Sequence, residues 1–244
     1  MSDNTQRKKW AKIPLPKVFI KMIEVLGLGL FVGLILATIC LAVFIWLADK
    51  IFSGSTMAFD ESIRDWVHQV SSPTLTQLMI LASFIGSFSF LFPLGILVFL
   101  ILLYLRRKRA LILFLLTMAG ELSLEPVLKN FFHRARPTAF FDYLAPASYS
   151  FPSGHAFAAL CFFGILAWLI TSRLQNILLR VLIWVFAILL IFWIGISRVY
   201  LGVHYPTDII AGYLTAFVWV MTIALGDLWF RRRKDQNPAA SLKM

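Results

Sequence analysis

The feature that most restricts the fold of this chain is a series of long apolar runs without charged side chains. Apolar residues make up 60% of the 244 residues and charged residues only 14%, far from the composition of an ordinary globular domain. A helix needs about 20 apolar residues to cross a bilayer, with about 17 near the lower limit. Six runs reach this length, of which only the third contains charged residues (Glu121 and Glu125): Val25–Leu47, Leu78–Leu105, Ala110–Leu128, Ala156–Ser172, Val181–Ser197 and Ile209–Gly226.

These runs predict an all-α integral membrane protein, a bundle of six transmembrane helices. The bundle domain is expected to cover residues 25–228, between a basic N-terminal segment (1–24) and a basic tail (229–244). The N-terminal segment resembles the basic region of a signal peptide, but the apolar run after it is longer than a signal core and no small-x-small cleavage site follows. The first run is therefore expected to remain as an anchor.

The distribution of Lys and Arg predicts that both termini are cytoplasmic. With the N-terminus inside, 17 of the 23 Lys and Arg residues fall on the cytoplasmic side, as membrane proteins favour. The net charge of +11 thus reflects topology, and no nucleic-acid partner is expected. Four of the six remaining cations lie in two outward segments, KNFFHRARP (129–137) and SRVYLGVHYPTD (197–208). A concentration of cations against the topological bias indicates an anionic partner on the outer face.

The first outward segment carries Lys129 and Arg136, seven residues apart. The two would share a face if the helix continued through them, until Pro137 ended or redirected it. Guanidinium and ammonium groups both suit phosphate. On its own, the segment is equally explained by cations that snorkel at a helix end.

A second outward segment, SYSFPSGH (148–155), resembles a helix start. Pro152 suits the first turn, and Ser150 or Ser153 suits the cap. Gly154 allows close approach of a ligand, and free N–H groups at a helix start bind phosphate. His155 would adjoin that anion site. Alone, the segment is also consistent with an ordinary capped helix and an incidental histidine.

The third outward segment carries Arg198, then His204 and Asp208 four residues apart. A carboxylate four residues along a helix can hold one imidazole nitrogen and leave the other free to react. The ordinary alternative is that Asp208 complements the helix dipole. The three segments together, however, bring cations, two histidines, a carboxylate and a helix start to one face, which chance does not readily explain.

These motifs resemble the type 2 phosphatidic acid phosphatase superfamily, which also contains vanadium haloperoxidases. The resemblance rests on K-x6-R-P (Lys129 to Pro137), PSGH (Pro152–His155) and S-R-x5-H-x3-D (Ser197 to Asp208), complete and in order. With the six-span layout it covers most of residues 20–228. The extended forms FPSGH and GISRVYLGVHYPTD are similar to bacterial membrane enzymes that dephosphorylate phosphatidylglycerophosphate, phosphatidate and undecaprenyl pyrophosphate.

The resemblance implies a hydrolytic mechanism through a phosphohistidine. His204 is then the nucleophile, Asp208 orients it, and His155 protonates the leaving oxygen. The phosphoryl oxygens are expected to be held by Lys129, Arg136 and Arg198, by the Ser153 hydroxyl and by the Gly154 backbone N–H. Three cations can neutralise a phosphoryl group without a metal ion, so neither metal nor cofactor is expected. His133 and Arg134 are extra to the motif and receive no catalytic role.

Two further features of the sequence each have more than one interpretation. Glu121 and Glu125, one turn apart in the third run, either pair with Lys129 or line a lateral entry for the lipid. The stretch 59–73 is expected to be an outer amphipathic segment that covers the site or lies at the headgroups. Its packing face is expected to hold Ile63, Trp66, Val67 and Val70.

The expected function is hydrolysis of a lipid phosphomonoester or pyrophosphate at the extracytoplasmic face of the cell membrane. The alternative is a non-enzymatic lipid or anion transporter with an outward cationic vestibule, although paired half-sequences typical of transporters are not evident. Haloperoxidase chemistry is disfavoured, since those relatives are typically soluble. The motifs leave open the identity of the lipid and the oligomeric state.

Overall fold

The structure, a computed structural model, describes residues 27–236, with side chains up to Arg231. Eight helices follow one another in this range, and none of its residues lies in a β-strand. The predicted N-terminal segment 1–24 and residues 237–244 of the predicted tail lie outside the described range. The helices are α1 (Leu28–Phe52), α2 (Met57–Gln69), α3 (Pro73–Ile85), α4 (Phe88–Tyr104), α5 (Lys108–Phe132), α6 (Gly154–Thr171), α7 (Ile177–Tyr200) and α8 (Pro206–Gln236).

The prediction of an all-helical multi-pass membrane protein is confirmed. Helices α1, α5, α6, α7 and α8 (to Arg231) are each long and apolar enough to cross a bilayer. Helices α3 and α4 meet the same test only as a pair, bent by 46° at Gly86–Ser87, which gives up to six crossings in the described range. The run Leu78–Leu105 is therefore two helices, because the extended backbone of Ser87 (φ −80°, ψ 155°) interrupts the helix.

Helix α6 lies at the centre of the bundle. In its span 56% of residues are buried, against at most 22% in the other four single-helix spans. It packs against α5, α7 and α8. Small residues such as Ala156 and Ala159 let these neighbours approach closely, as is usual for helices packed in a membrane. By contrast, large apolar side chains of α1, α4 and α7 are exposed on the outside of the bundle, where lipid tails would cover them.

One end of the bundle collects the end of α5, the start of α6, the end of α7 and the start of α8. The starts of α6 and α8 touch, since Ser153 N donates a 3.0 Å hydrogen bond to the backbone oxygen of Asp208. Gly212 makes this approach possible: a Cβ there would lie 2.6 Å from the Ser153 backbone oxygen. At the other end of the bundle, Arg109 forms an ion pair with Asp227.

The expectation that Lys129 and Arg136 share a helical face is wrong. Helix α5 ends at Phe132, five residues before Pro137, because His133 adopts a left-handed conformation (φ 48°). Residues 133–139 have no regular structure. Lys129 and Arg136 are brought together instead by the loop before α6, where both donate to the Ser148 hydroxyl, at 3.1 and 3.2 Å.

The predicted outer amphipathic segment forms α2, and half of its predicted packing face is buried. As predicted, Val67 is buried in an apolar cluster at the end of α7, and Ile63 is partly buried against the same cluster. The prediction is wrong for Trp66 and Val70, which are 63% and 50% exposed. Asp60 and Arg64 are buried as well, because α2 packs on the polar ends of α7 and α8.

Candidate active site

His204 and Asp208 form a buried dyad at the start of α8. His204 lies in the turn after α7, and Asp208 in the first turn of α8. Nδ1 of His204 lies 3.3 Å from Oδ2 of Asp208, and both residues are at most 1% exposed. The spacing of four residues thus places the carboxylate at Nδ1 and leaves Nε2 as the reactive nitrogen.

Nε2 of His204 faces a cation, because Nη1 of Arg136 lies 2.9 Å from it. Burial lowers the pKa of His204 to about 4, against the opposing effect of the Asp208 carboxylate; the charges of Arg136 and Arg198 lower it further. The imidazole is therefore neutral at neutral pH, and Nε2 carries the lone pair that a nucleophile requires.

Asp208 has more partners than His204 alone. Its Oδ2 accepts hydrogen bonds from the hydroxyl of Ser150 and, at 2.9 Å, from the backbone N–H of Tyr205. Its Oδ1 accepts a 2.6 Å hydrogen bond from Nη1 of Arg134. Ser150 Oγ also lies 3.3 Å from Nδ1 of His204. These contacts hold the carboxylate on both sides, as a buried charge requires.

Arg134, which sequence analysis left without a role, connects Asp208 to helix α2. Its Nη2 donates to Oδ2 of Asp60 at 2.7 Å, and its guanidinium lies 4.2 Å from the centre of the Tyr205 ring. Asp60 is fully buried and also accepts from the backbone N–H and the hydroxyl of Thr207, at 3.1 and 2.7 Å. One guanidinium thus joins two buried carboxylates from opposite ends of the sequence.

Arg136 organises the loop beside the dyad. Its guanidinium donates to the backbone oxygens of Ser148 (2.7 Å), Val203 (2.8 Å) and Tyr149 (3.2 Å). Burial, with a smaller effect from the charge of Arg198, lowers the pKa of Arg136 to about 10. Arg136 therefore stays charged at neutral pH, next to the reactive nitrogen of His204.

Lys129 lies at the end of α5 and forms an ion pair with Glu125, one turn earlier, at 2.6 Å. The alternative that Glu125 pairs with Lys129 is thus observed. Oε1 of Glu125 also lies against Gly154, where an added Cβ would overlap it. Glu121 and Glu125 interact electrostatically, and Lys129 influences both.

Arg198, in the last turn of α7, is 1% exposed. Its Nη1 donates to the hydroxyls of Ser83, on α3, and of Tyr143, the latter at 3.2 Å. Its Nε has no hydrogen-bond partner in the described part of the chain. A buried charged donor without a partner is costly, so a ligand oxygen within reach of this Nε would bind favourably.

His155, the second residue of α6, belongs to the same cluster of charges. It lies within electrostatic range of Arg198, His204, Lys129 and Arg136. The bend between α3 and α4 comes close to it: a Cβ on Gly86 would lie 3.4 Å from Cδ2 of His155. The bend therefore brings α3 and α4 to the wall of the site.

The start of α6 is a capped helix end, as predicted, with Ser153 rather than Ser150 as the cap. Ser153 Oγ accepts from the backbone N–H of Ala156 at 3.5 Å, and Pro152 precedes the cap instead of lying in the first turn. Gly154 is the first helical residue. Its backbone is accessible, since the residue is only partly buried.

All eight residues singled out in the motifs thus lie at one end of the bundle. The residues that the motifs did not predict are those whose side chains support the cluster. They are Asp60, Ser83, Arg134, Tyr143, Ser148, Ser150 and Thr207.

No group of three or more His, Cys, Asp or Glu side chains in residues 27–236 is placed to hold a metal ion.

Comparison with known proteins finds relatives in both sequence and structure. Phosphatidylglycerophosphatase B of Bacillus subtilis (strain 168) is 31% identical over 171 residues, which are 70% of this chain and 84% of the relative. Undecaprenyl-diphosphatase of Sulfolobus acidocaldarius is 29% identical over 68% of this chain and 77% of its own. The crystal structure of a transmembrane PAP2 type phosphatidylglycerolphosphate phosphatase from Bacillus subtilis superposes with a TM-score of 0.72 at 28% identity, covering 78% of this chain and 95% of that one.

The family model for the PAP2 superfamily matches residues 110–232. This range begins in α5 and includes every residue of the three motifs, from Lys129 to Asp208. The match agrees with the relatives in sequence and with the structural superposition. The chain therefore belongs to the PAP2 superfamily.

Proposed function

We propose that the protein removes a phosphate group from a membrane lipid through a covalent phosphohistidine on His204. The observation that carries this proposal is the buried dyad: Asp208 holds Nδ1 of His204, and Nε2 faces the guanidinium of Arg136. A neutral imidazole directed at a cation is suited to attack an anionic phosphorus centre that the cation holds. Two relatives are named for phosphatidylglycerophosphate and for undecaprenyl diphosphate, which supports a lipid substrate.

In the first step, Nε2 of His204 attacks phosphorus, the N–P bond forms and the bond to the leaving oxygen breaks. His155 donates its proton to that oxygen, which leaves as a hydroxyl. The Asp208 carboxylate, at Nδ1, stabilises the positive ring. In the second step, water attacks phosphorus, His155 accepts the water's proton, and the N–P bond breaks to release phosphate and neutral His204.

The phosphoryl oxygens are assigned to Lys129, Arg136 and Arg198, with the Ser153 hydroxyl and the Gly154 N–H. The partnerless Nε of Arg198 supports this assignment, since it offers a buried donor to a ligand. Three cations around the phosphoryl group can neutralise the charge that develops in its transfer. We therefore assign charge neutralisation to these side chains, without a metal ion or cofactor.

The substrate is proposed to be a lipid with a terminal phosphomonoester or a pyrophosphate. The relatives are named for phosphatidylglycerophosphate and for undecaprenyl diphosphate, and phosphatidate offers the same phosphomonoester on a smaller headgroup. All three present a phosphate at the membrane surface, where the end of the bundle with His204 would meet it.

Phosphate release from defined lipids tests the function. The purified chain, in detergent or liposomes with a chelator, would be offered phosphatidylglycerophosphate, undecaprenyl pyrophosphate and phosphatidate. We expect release from at least one of them, inhibition by vanadate, and no turnover by a folded His204→Ala variant. Anion flux without phosphate release would favour a transporter instead, and full activity of His204→Ala would exclude His204 as the nucleophile.

We further propose that the site faces the extracytoplasmic side, with both termini in the cytoplasm. The excess of Lys and Arg on the opposite side supports this orientation. Leu144, 90% exposed in the loop before α6, provides a test. A cysteine at this position (Leu144→Cys) should react with a membrane-impermeant maleimide in intact cells. Labelling only after the cells are opened would reverse the orientation.

A further inference from the structure

Glu125 places a carboxylate inside the cluster of groups that the proposed function assigns to phosphate. Its Oε1 lies 2.6 Å from Nζ of Lys129. The same oxygen lies so close to Gly154 that an added Cβ would overlap it. The charge of Glu125 also reaches Arg136. An anionic oxygen therefore already lies between Lys129 and the start of α6, the two elements expected to take a phosphoryl oxygen.

No other carboxylate has this position. Among the ion pairs of the described residues, Glu125 is the only partner of Lys129, Arg136 or Arg198 that is an acid. The remaining partners of these three cations are backbone oxygens, hydroxyls and the imidazole of His204. Asp208 pairs instead with Arg134 and His204, outside this group.

We propose that the carboxylate of Glu125 occupies the place of a phosphoryl oxygen and must be displaced by any anion that binds. The inference rests on the proposed function for the identity of the site. Displacement is feasible, because the atoms that approach Gly154 are the far end of a flexible side chain that is 25% exposed. An anion that enters without moving Glu125 meets a like charge, which is unfavourable.

The cost of displacing Glu125 is the same for every phosphate, so it weakens the binding of free phosphate and of a lipid phosphate by the same factor. A lipid phosphate is also bound through its tail, and that binding free energy keeps the lipid in the site. Free inorganic phosphate has no such contribution and binds weakly, so the released product leaves readily.

A purely structural role of Glu125 predicts the opposite result. If the carboxylate only positions Lys129, its removal leaves the ammonium less well placed, and phosphate binds more weakly. If the carboxylate competes with phosphate, its removal strengthens binding. The sign of the change therefore separates the two roles.

The experiment compares Glu125→Gln with the matched control Glu121→Gln, which removes a carboxylate one turn earlier on the same helix. Inorganic phosphate is titrated into the purified full-length chain, and its Kd is measured by thermal shift. Its inhibition constant against lipid turnover is measured in parallel. We expect both constants to fall by about tenfold or more in Glu125→Gln, since a like-charge contact is removed. Glu121→Gln should change them by much less.

Unchanged or weaker phosphate binding in Glu125→Gln would overturn the proposal, as would an equal gain in Glu121→Gln, which would indicate a general effect of charge. Thermal shift needs no turnover. An inactive wild-type chain would therefore contradict the proposed function, while the binding data would still decide the role of Glu125.

Discussion

Arg134 Nη1 donates a 2.6 Å hydrogen bond to Oδ1 of Asp208, so the carboxylate that holds His204 is itself held by a guanidinium. The other nitrogen of the same guanidinium donates to Asp60, on α2. The side chains of Arg134, Asp60 and Asp208 are each at most 9% exposed. Buried charges persist only when paired. The position of Asp208 therefore depends on an arginine at an unspecified position of K-x6-R-P and on a helix that lies outside the motifs.

Replacement of Arg134 should therefore harm the site through Asp208. Arg134→Ala leaves Asp60 and Asp208 without their shared cation, and breaking a buried pair costs about 3–5 kcal/mol of unfolding free energy. Arg134→Lys keeps the positive charge, but an ammonium lacks the two separate Nη groups that donate to the two carboxylates. We therefore expect a smaller loss of stability and activity than in Arg134→Ala. Thermal unfolding in detergent and kcat for phosphate release would be measured on both variants.

Separate measurement of kcat and KM shows whether Arg134 acts on Asp208 or on substrate binding. If Arg134 positions Asp208, Arg134→Lys lowers kcat and changes KM little, because the proposed phosphate-binding groups are unaffected. A rise in KM with unchanged kcat would mean that Arg134 acts on substrate binding instead.

The contact between α6 and α8 makes a prediction about Gly212. A Cβ at this position would lie 2.6 Å from the backbone oxygen of Ser153 and 3.0 Å from Cβ of Ala156, and neither can move without shifting α6. Gly212→Ala should cost about 1–3 kcal/mol, the usual effect of overpacking, and should lower activity because α6 carries His155. Thermal unfolding and turnover are the measurements.

Gly164, also in α6, is the matched control, since an added Cβ there meets nothing within 4 Å. Gly164→Ala should be neutral or slightly stabilising, as expected for alanine in a helix. Equal losses in the two variants would show that the contact between Gly212 and Ser153 is not the cause.

The pKa of His204 predicts a pH dependence of stability. Burial lowers it from 6.5 to about 4 in the folded protein, so the unfolded chain binds more protons between these pH values. The free energy of unfolding therefore falls as the pH decreases from 6.5 towards 4, by an amount on the order of 3 kcal/mol from this group. Thermal unfolding across this range would be compared in wild type and His204→Asn, which should lose part of the slope. Parallel curves would contradict the assignment.

Replacement of Arg136 by lysine should reduce activity. Its guanidinium contacts three backbone oxygens and Nε2 of His204 in a fork that an ammonium cannot reproduce. Arg136→Lys should lower kcat/KM by roughly one to two orders of magnitude, equivalent to one charged hydrogen bond of about 1.5–3 kcal/mol. Arg109→Lys, at the other end of the bundle, is the control and should leave kcat/KM close to wild type. Wild-type kcat/KM in Arg136→Lys would show that charge alone is sufficient.

Local patterns in the sequence were sufficient to predict most of the membrane-crossing helices and much of the site. The apolar runs predicted the membrane-crossing helices, because a bilayer imposes a length and a composition on every crossing. The spacing of His204 and Asp208 predicted their pairing, since residues four apart meet at a helix start. The capped start of α6 was also predicted, with Ser150 or Ser153 as the cap, because capping depends on neighbouring residues.

Contacts between segments that are distant in the sequence could not be predicted from local patterns. The left-handed His133 ends α5 early, and the loop at Ser148 instead brings Lys129 and Arg136 together. Gly86, at the bend between α3 and α4, packs against α7, and no local sequence pattern predicts this contact.

By itself, then, the sequence determined a multi-pass helical protein with the motifs of the PAP2 superfamily, because hydropathy, helix spacing and short motifs involve a few neighbouring residues. Only the tertiary structure decided that Arg134 and Asp60 support Asp208, and that Glu125 lies against Gly154. Such pairs form because charges removed from water must find partners, and which partners are within reach depends on how the helices pack.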